Sequence, residues 1–155
     1  MTSQQDKTYC FVTCMDGDIV SVQLKGYVPV HKYMHEPPMH VSIYIIYCKD
    51  DSISDTYIGQ TRDFDVRRSY HYEDTKIGKQ KVHRFINSHG GWDNWDIRVL
   101  SEYMCDYVES HVIEWYWWCV YGCTLNKIKP GYKYTLAMTL DEAKDIEVRC
   151  RVYLD

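Results

Sequence analysis

Thr56-Tyr57-Ile58-Gly59-Gln60-Thr61-Arg62-Asp63-Phe64-Asp65-Val66-Arg67-Arg68-Ser69-Tyr70-His71-Tyr72 decides how the rest of the chain is read. It has the pattern of a strand end, a turn at Gly59 and a helix opened by Asp63. An aspartate ahead of the first apolar residue accepts hydrogen bonds from the free donors of the first turn, and Asp65 adds negative charge where the helix dipole favours it. On that helix Arg67 and His71 share one face, while Val66 and Tyr70 share another. A phenol, a guanidinium and an imidazole are thereby gathered within a short span.

The 155 residues suffice for one core without staples, and 26% charged with 45% hydrophobic residues is a globular composition. Fifteen Tyr and five Trp are many for this length; aromatics serve both cores and binding surfaces. A net charge of -4 argues against coating nucleic acid through bulk charge. Arg62, Arg67, Arg68, Lys76, Lys79, Lys81 and Arg84 nevertheless form a local basic cluster, whose ordinary reading is a solvated helical surface. Seven Cys, no apolar run near the roughly 20 residues of a membrane span, and no signal-peptide core lead to the expectation of an intracellular protein with reduced thiols.

Upstream, Thr8 to Cys14 and Ile19 to Leu24 alternate as two strands around Met15-Asp16-Gly17-Asp18, a tight-turn signal that predicts a hairpin. A proline-bearing connection follows to Pro38. Cys10 and Cys14 precede His31 and His35, the residue types of a zinc site. The spacing exceeds the usual window, and Pro29 and Pro37 leave little room for the helix that normally carries the His pair, so thiols on a strand are expected instead. Val41 to Cys48 is β-branched and aromatic, as in a central strand covered on both faces. The short polar segment Lys49 to Asp55 makes it antiparallel to the strand at Tyr57, bringing Tyr44 near that residue.

Downstream, Val82, Phe85 and Ile86 mark a short helix ended by Asn87-Ser88-His89-Gly90-Gly91, and Trp95 to Leu100 alternates as a third strand. Tyr107 to Tyr121 is a long helix closed by Gly122, with Val108, Val112, Trp115 and Cys119 as its buried stripe. Glu114 lies one position off that stripe, where a carboxylate is costly unless a cation or donor meets it. After a loop at Asn126 to Gly131, Ile146 to Leu154 reads as a last strand. The boundaries are an N-terminal hairpin and linker over 1–40, a domain over 41–130, and a C-terminal extension over 131–155 that packs on it.

Ser42-Ile43-Tyr44, Tyr57-Ile58-Gly59, Arg67, His71, Asn87-Ser88-His89-Gly90, Glu114 ahead of Trp117-Trp118, and Leu125-Asn126 stand in the order found in the GIY-YIG nuclease family, which the chain resembles over Val41 to Lys129. The ordered set, not any one triplet, carries the likeness. The resemblance implies an α/β (α+β) domain with a three-stranded antiparallel sheet flanked by helices, hydrolysing DNA phosphodiester bonds with one divalent cation, Mg²⁺ or Mn²⁺. It assigns the metal to Glu114, and the general base or positioning of water to Tyr57 with Tyr44 beside it. It gives phosphate contact to Arg67, alignment of the nucleophile to His71 and support of the site to Asn126. Arg62, Arg67, Arg68, Lys81 and Arg84 are the residues expected to meet nucleic acid.

The chemistry wants these groups in any case. Phosphodiester hydrolysis asks for roughly 20 kcal/mol of barrier lowering, through in-line water and neutralised phosphoryl charge. A carboxylate-held cation is a Lewis acid with open positions, arginine offers a fork matched to phosphate, and a phenol beside a guanidinium is drawn toward phenolate. Each residue also has a structural reading: strand aromatics, a surface arginine, a solvated carboxylate, a packed histidine, a loop asparagine. Ser42 departs from the glycine of the first triplet. Gln60 stands where some relatives have lysine, so that the lysine's grip on phosphate is either missing or taken over by Arg62. The rival from another class is a catalytically silent nucleic-acid-binding or protein-interaction module of the same fold.

Overall fold

The computed structural model describes residues 9–13, 19–23 and 37–153. Strands β1 (Tyr9–Thr13) and β2 (Ile19–Gln23) pair antiparallel with Tyr9 opposite Gln23, the expected hairpin. The turn over 14–18 and the side chains of Cys10, Cys14, His31 and His35 lie outside the described residues.

The main sheet runs in the order β4-β3-β5-β6, from β3 (Met39–Cys48), β4 (Tyr57–Thr61), β5 (Trp95–Cys105) and β6 (Arg151–Val152), antiparallel throughout. It therefore has four strands where the sequence reading has three. The extra strand exists because β5 runs past Leu100 to Cys105, and its far half, at Glu102 and Tyr103, pairs with Val152 and Arg151. Between Ile43 and Tyr44 the register of β3 on β5 shifts, so that Ile43 faces Ser101 while Tyr44 faces Val99. Leu100 is the additional residue of that bulge, and such a kink re-aims the neighbouring side chains.

Alternation along β3 divides the core. Tyr44, Ile46 and Cys48 pack with Phe64 of helix α1 (Phe64–Ile77) and with Val82 and Ile86 of α2 (Lys81–Ser88). Val41, Ile43 and Ile45 pack with Ile113 of α3 (Tyr107–Tyr121) and Cys150 of α4 (Leu140–Cys150). Val41 through Ile46 are all buried, as a strand with helices on both faces requires. Each such aliphatic side chain contributes about 1.5–3 kcal/mol by leaving water.

Caps set the helix limits. Asp63 accepts from the Val66 backbone N–H at 3.1 Å, and α1 ends at Gly78 in the left-handed region (φ 64°). Asp106 and Glu109 cap α3 reciprocally. Thr139 and Glu142 do the same for α4, which occupies most of the segment expected to be a strand at Ile146 to Leu154. The capped start and the spacing of buried Ala143, Glu147 and Cys150 favour a helix, and only Arg151 and Val152 remain extended.

The buried surface of α3 is also wider than one stripe. Val112 and Trp115 pack on Ala143 of α4, whereas Ile113 faces the sheet and Trp117 packs with it, and Val108 and Cys119 are half-buried. Because α4 covers its outer side, α3 is enclosed on two faces and reads as apolar nearly all round.

Candidate active site

Gly59 lies inside β4 rather than at a turn, and it is the cross-strand partner of Tyr44. A Cβ on Gly59 would fall 2.3 Å from Cζ and Oη of Tyr44. Glycine is required here because the phenol ring lies across the strand, not because the backbone bends. Tyr44 itself is fully buried.

Two side chains of α1 reach its oxygen. Arg67 Nε donates to Tyr44 Oη at 3.2 Å, and His71 Nε2 lies 2.8 Å from the same atom. Arg67 and His71 are one helical turn apart, as the shared face requires. Val66 and Tyr70, on the other face, are exposed.

His71 continues inward: its Nδ1 is 3.0 Å from Nε2 of buried His83, whose Nδ1 accepts the Gln80 backbone N–H at 3.2 Å. A backbone N–H only donates, which fixes the direction of the series. His83 carries its proton on Nε2 and gives it to His71 Nδ1, and His71 in turn donates from Nε2 to Tyr44. Burial foremost, then the neighbouring imidazole and Arg67, depress His71 to about 4. Burial likewise lowers His83, so both rings are neutral at neutral pH.

Tyr57 stands beside this series, its ring centroid 5.5 Å from that of His71 and 6.3 Å from that of Tyr44. With two donors on its oxygen, Tyr44 is left with its own O–H to give, and Tyr57 is the neighbouring phenol. Burial and then the Glu114 carboxylate push the Tyr57 phenol up, while Arg67 and the Tyr44 hydroxyl pull it down. The upward push wins, so the guanidinium alone does not make Tyr57 a phenolate, contrary to the simple charge argument. Tyr44 is raised further, by burial first and then by Tyr57.

Glu114 enters from α3, on the opposite face of the sheet, and lines the same cleft of about 630 Å³ as Tyr57 and Asn126. β4 is an edge strand, and Tyr57 and Glu114 meet in the cleft beside it. The Glu114 side chain is 13% exposed. Its Oε2 accepts from Gln60 Nε2 at 2.8 Å, so the residue at the position of a relative's lysine is turned to the carboxylate. Asn126 grips Ile58 of β4 at both ends, accepting its N–H at 3.1 Å and donating to its carbonyl at 2.8 Å. It acts as a substitute edge strand that holds β4 in place.

The basic cluster is less free than its sequence implies. Lys76 pairs with Glu73 and Lys79 with Asp74; Lys81 donates to the Thr124 carbonyl and Arg84 to those of Gly78 and Lys79. Arg62 and Arg68 are exposed. The cleft itself is lined by Lys127, Lys129 and Lys133, three cations in seven residues, of which the first two fall in the loop read at Asn126 to Gly131 and none was assigned to nucleic acid. His83 and His111 were also missed. His83 sits on the apolar stripe of α2 beside Val82 and Ile86, and His111 lies one turn before Glu114; both positions were open to a helical-face reading.

The family model described as GIY-YIG catalytic domain matches residues 40–122. The chain belongs to the GIY-YIG family. No curated protein and no solved structure matches it. The GIY-YIG match takes in Tyr44, Tyr57, Arg67, His71 and Glu114 and stops short of Asn126. Membership identifies a nuclease-type catalytic domain in general terms. Past the match, Tyr134, Met138, Ala143 and Ile146 pack with Val112 and Trp115 of α3.

Proposed function

We propose that the protein is a metal-dependent DNA endonuclease that hydrolyses phosphodiester bonds with one divalent cation, Mg²⁺ or Mn²⁺, held by Glu114. The observation that carries this reading is that Tyr57, packed beside the Tyr44, Arg67 and His71 cluster on one face of the sheet, and Glu114, from the helix on the other face, line one cleft. Among the described residues no group of three or more His, Cys, Asp or Glu gathers for a metal, so the reading rests on Glu114 as the one carboxylate of the cleft. A cation there would supply Lewis-acid polarisation of a phosphoryl oxygen.

The chain's own groups account for the rest. Arg67 commits Nε to Tyr44, which orients the fork and leaves its two terminal amino groups for phosphate oxygens. The one-way series from the Gln80 N–H through His83 and His71 ends on Tyr44, beside the Tyr57 ring, so that both nitrogens of each histidine are committed. That leaves the Tyr57 oxygen as the acceptor that positions the attacking water. Neither histidine can serve as the base, since the proton-free nitrogen of each is already occupied.

Supercoiled plasmid with Mg²⁺ or Mn²⁺ tests the proposal. Wild type should nick it, and Glu114→Gln should abolish nicking while largely sparing DNA binding. Binding without cleavage by the wild type would favour the silent module instead.

A further inference from the structure

Gln60, His111 and Glu114 form a cluster with a feature that a lone carboxylate would not need. The Gln60 amide nitrogen is 2.8 Å from Glu114 Oε2 and 3.0 Å from His111 Nδ1, and those two acceptors are 3.6 Å apart. One NH₂ group gives a hydrogen to each, so two lone pairs, from a carboxylate and an imidazole, converge on a single electropositive point. Because Nδ1 accepts, His111 carries any neutral-form proton on Nε2, the tautomer that coordinates through Nδ1.

The ring is also oriented from behind. His111 lies edge-on to Tyr107 with centroids 4.6 Å apart and stacks on Tyr134 at 5.7 Å. Gly131 lies against the His111 backbone carbonyl, where a Cβ would stand 2.6 Å away, which seats the segment bearing Tyr134 against this turn of α3. Such supports fix a ligand's direction before a metal arrives.

We propose that Glu114, His111 and Gln60 are the three protein ligands of the cation, the Gln60 amide turning over to present Oε1 where Nε2 now stands. This rests on the reading of Glu114 as a metal residue and extends it. The separation of 3.6 Å is one that a single ion with bonds near 2.1 Å bridges. Rotation about the last side-chain torsion of Gln60 exchanges donor for acceptor without moving the strand. The set is then carboxylate oxygen, amide oxygen and imidazole nitrogen, and the nitrogen shifts preference from Mg²⁺ toward Mn²⁺, Co²⁺ or Ni²⁺.

Mn²⁺ and Mg²⁺ binding to the full chain without DNA tests this, by titration calorimetry and by electron spin-echo spectroscopy of bound Mn²⁺. The expected result is a nitrogen hyperfine coupling in wild type that His111→Ala removes. With it, Mn²⁺ affinity should fall about 10-fold or more and Mg²⁺ affinity by about 3-fold at most, because magnesium depends on the oxygen ligands. Gln60→Ala should weaken both ions, and unchanged denaturation midpoints would show the variants folded. Mn²⁺ binding that needs Glu114 but shows no nitrogen coupling, and is indifferent to His111→Ala, would overturn this ligand set and leave the carboxylate reading intact. Binding unaffected by Glu114→Gln, or no Mn²⁺ binding at millimolar concentration, would overturn both.

Discussion

Substituting Gly59 by alanine tests whether the strand carries glycine for the sake of the phenol. The new methyl would stand 2.3 Å from Cζ and Oη of Tyr44, whereas ordinary contact begins near 3.4 Å, so the ring must retreat by about 1 Å. Tyr44 is fully enclosed and has little room to do so. Such overpacking costs about 1–3 kcal/mol. A 1 Å retreat also pulls Oη from its bonds to His71 and Arg67, now 2.8 and 3.2 Å, for about 1 kcal/mol each, giving about 3–5 kcal/mol in all. Urea denaturation should show that loss, and plasmid nicking should slow about 100-fold or more, the usual consequence of misplacing a reacting group by an ångström. Tyr44→Phe gives the complementary case: the ring stays, the hydroxyl goes, and the rate falls with a smaller change in stability. A Gly59→Ala protein with unchanged midpoint and rate would refute the reasoning, since it would mean that the ring does not lie over this position.

Other outcomes follow from the same geometry. His83→Ala should slow cleavage about 10-fold or more with DNA affinity retained, because it frees His71 to take the wrong tautomer; cleavage kinetics beside a binding isotherm separates the two effects. Acid should destabilise the fold below about pH 6.5: the unfolded chain then protonates His71 while the folded chain, held to about 4, does not, so unfolding takes up a proton. That linkage amounts to about 3 kcal/mol across the window, and His71→Gln should flatten the corresponding part of a stability-against-pH curve. Glu147 is fully buried against the Tyr103 hydroxyl and the Arg151 guanidinium; its replacement by alanine should cost about 3 kcal/mol or more in a denaturant titration by leaving both without their partner. Asn126→Ala should cost about 2 kcal/mol, measured the same way, by removing both hydrogen bonds to Ile58.

Local signals carried much of this protein. The β-branched and aromatic run of β3, the short polar loop to β4, the cap at Asp63 and the closing Gly122 act within a few residues, and each element they predict is present. The helical face joining Arg67 to His71 is of the same kind. The ordered set of Tyr, Arg, His and Glu residues was enough to name the family, because it depends on separation along the chain and not on contact.

What only the folded molecule decided depends on register and on which surface is covered. Gly59 reads as a turn until β3 is laid beside it and the Tyr44 ring is found across it. The alternating tail after Ile146 becomes a helix because an upstream cap and the surface of α3 outweigh a short strand pattern. His83, His111 and Gln60 enter the site from three separate elements, and no periodicity within one element states which neighbour it will face. A sequence specifies faces over one or two turns, whereas pairing faces across the sheet edge is a property of the packed whole.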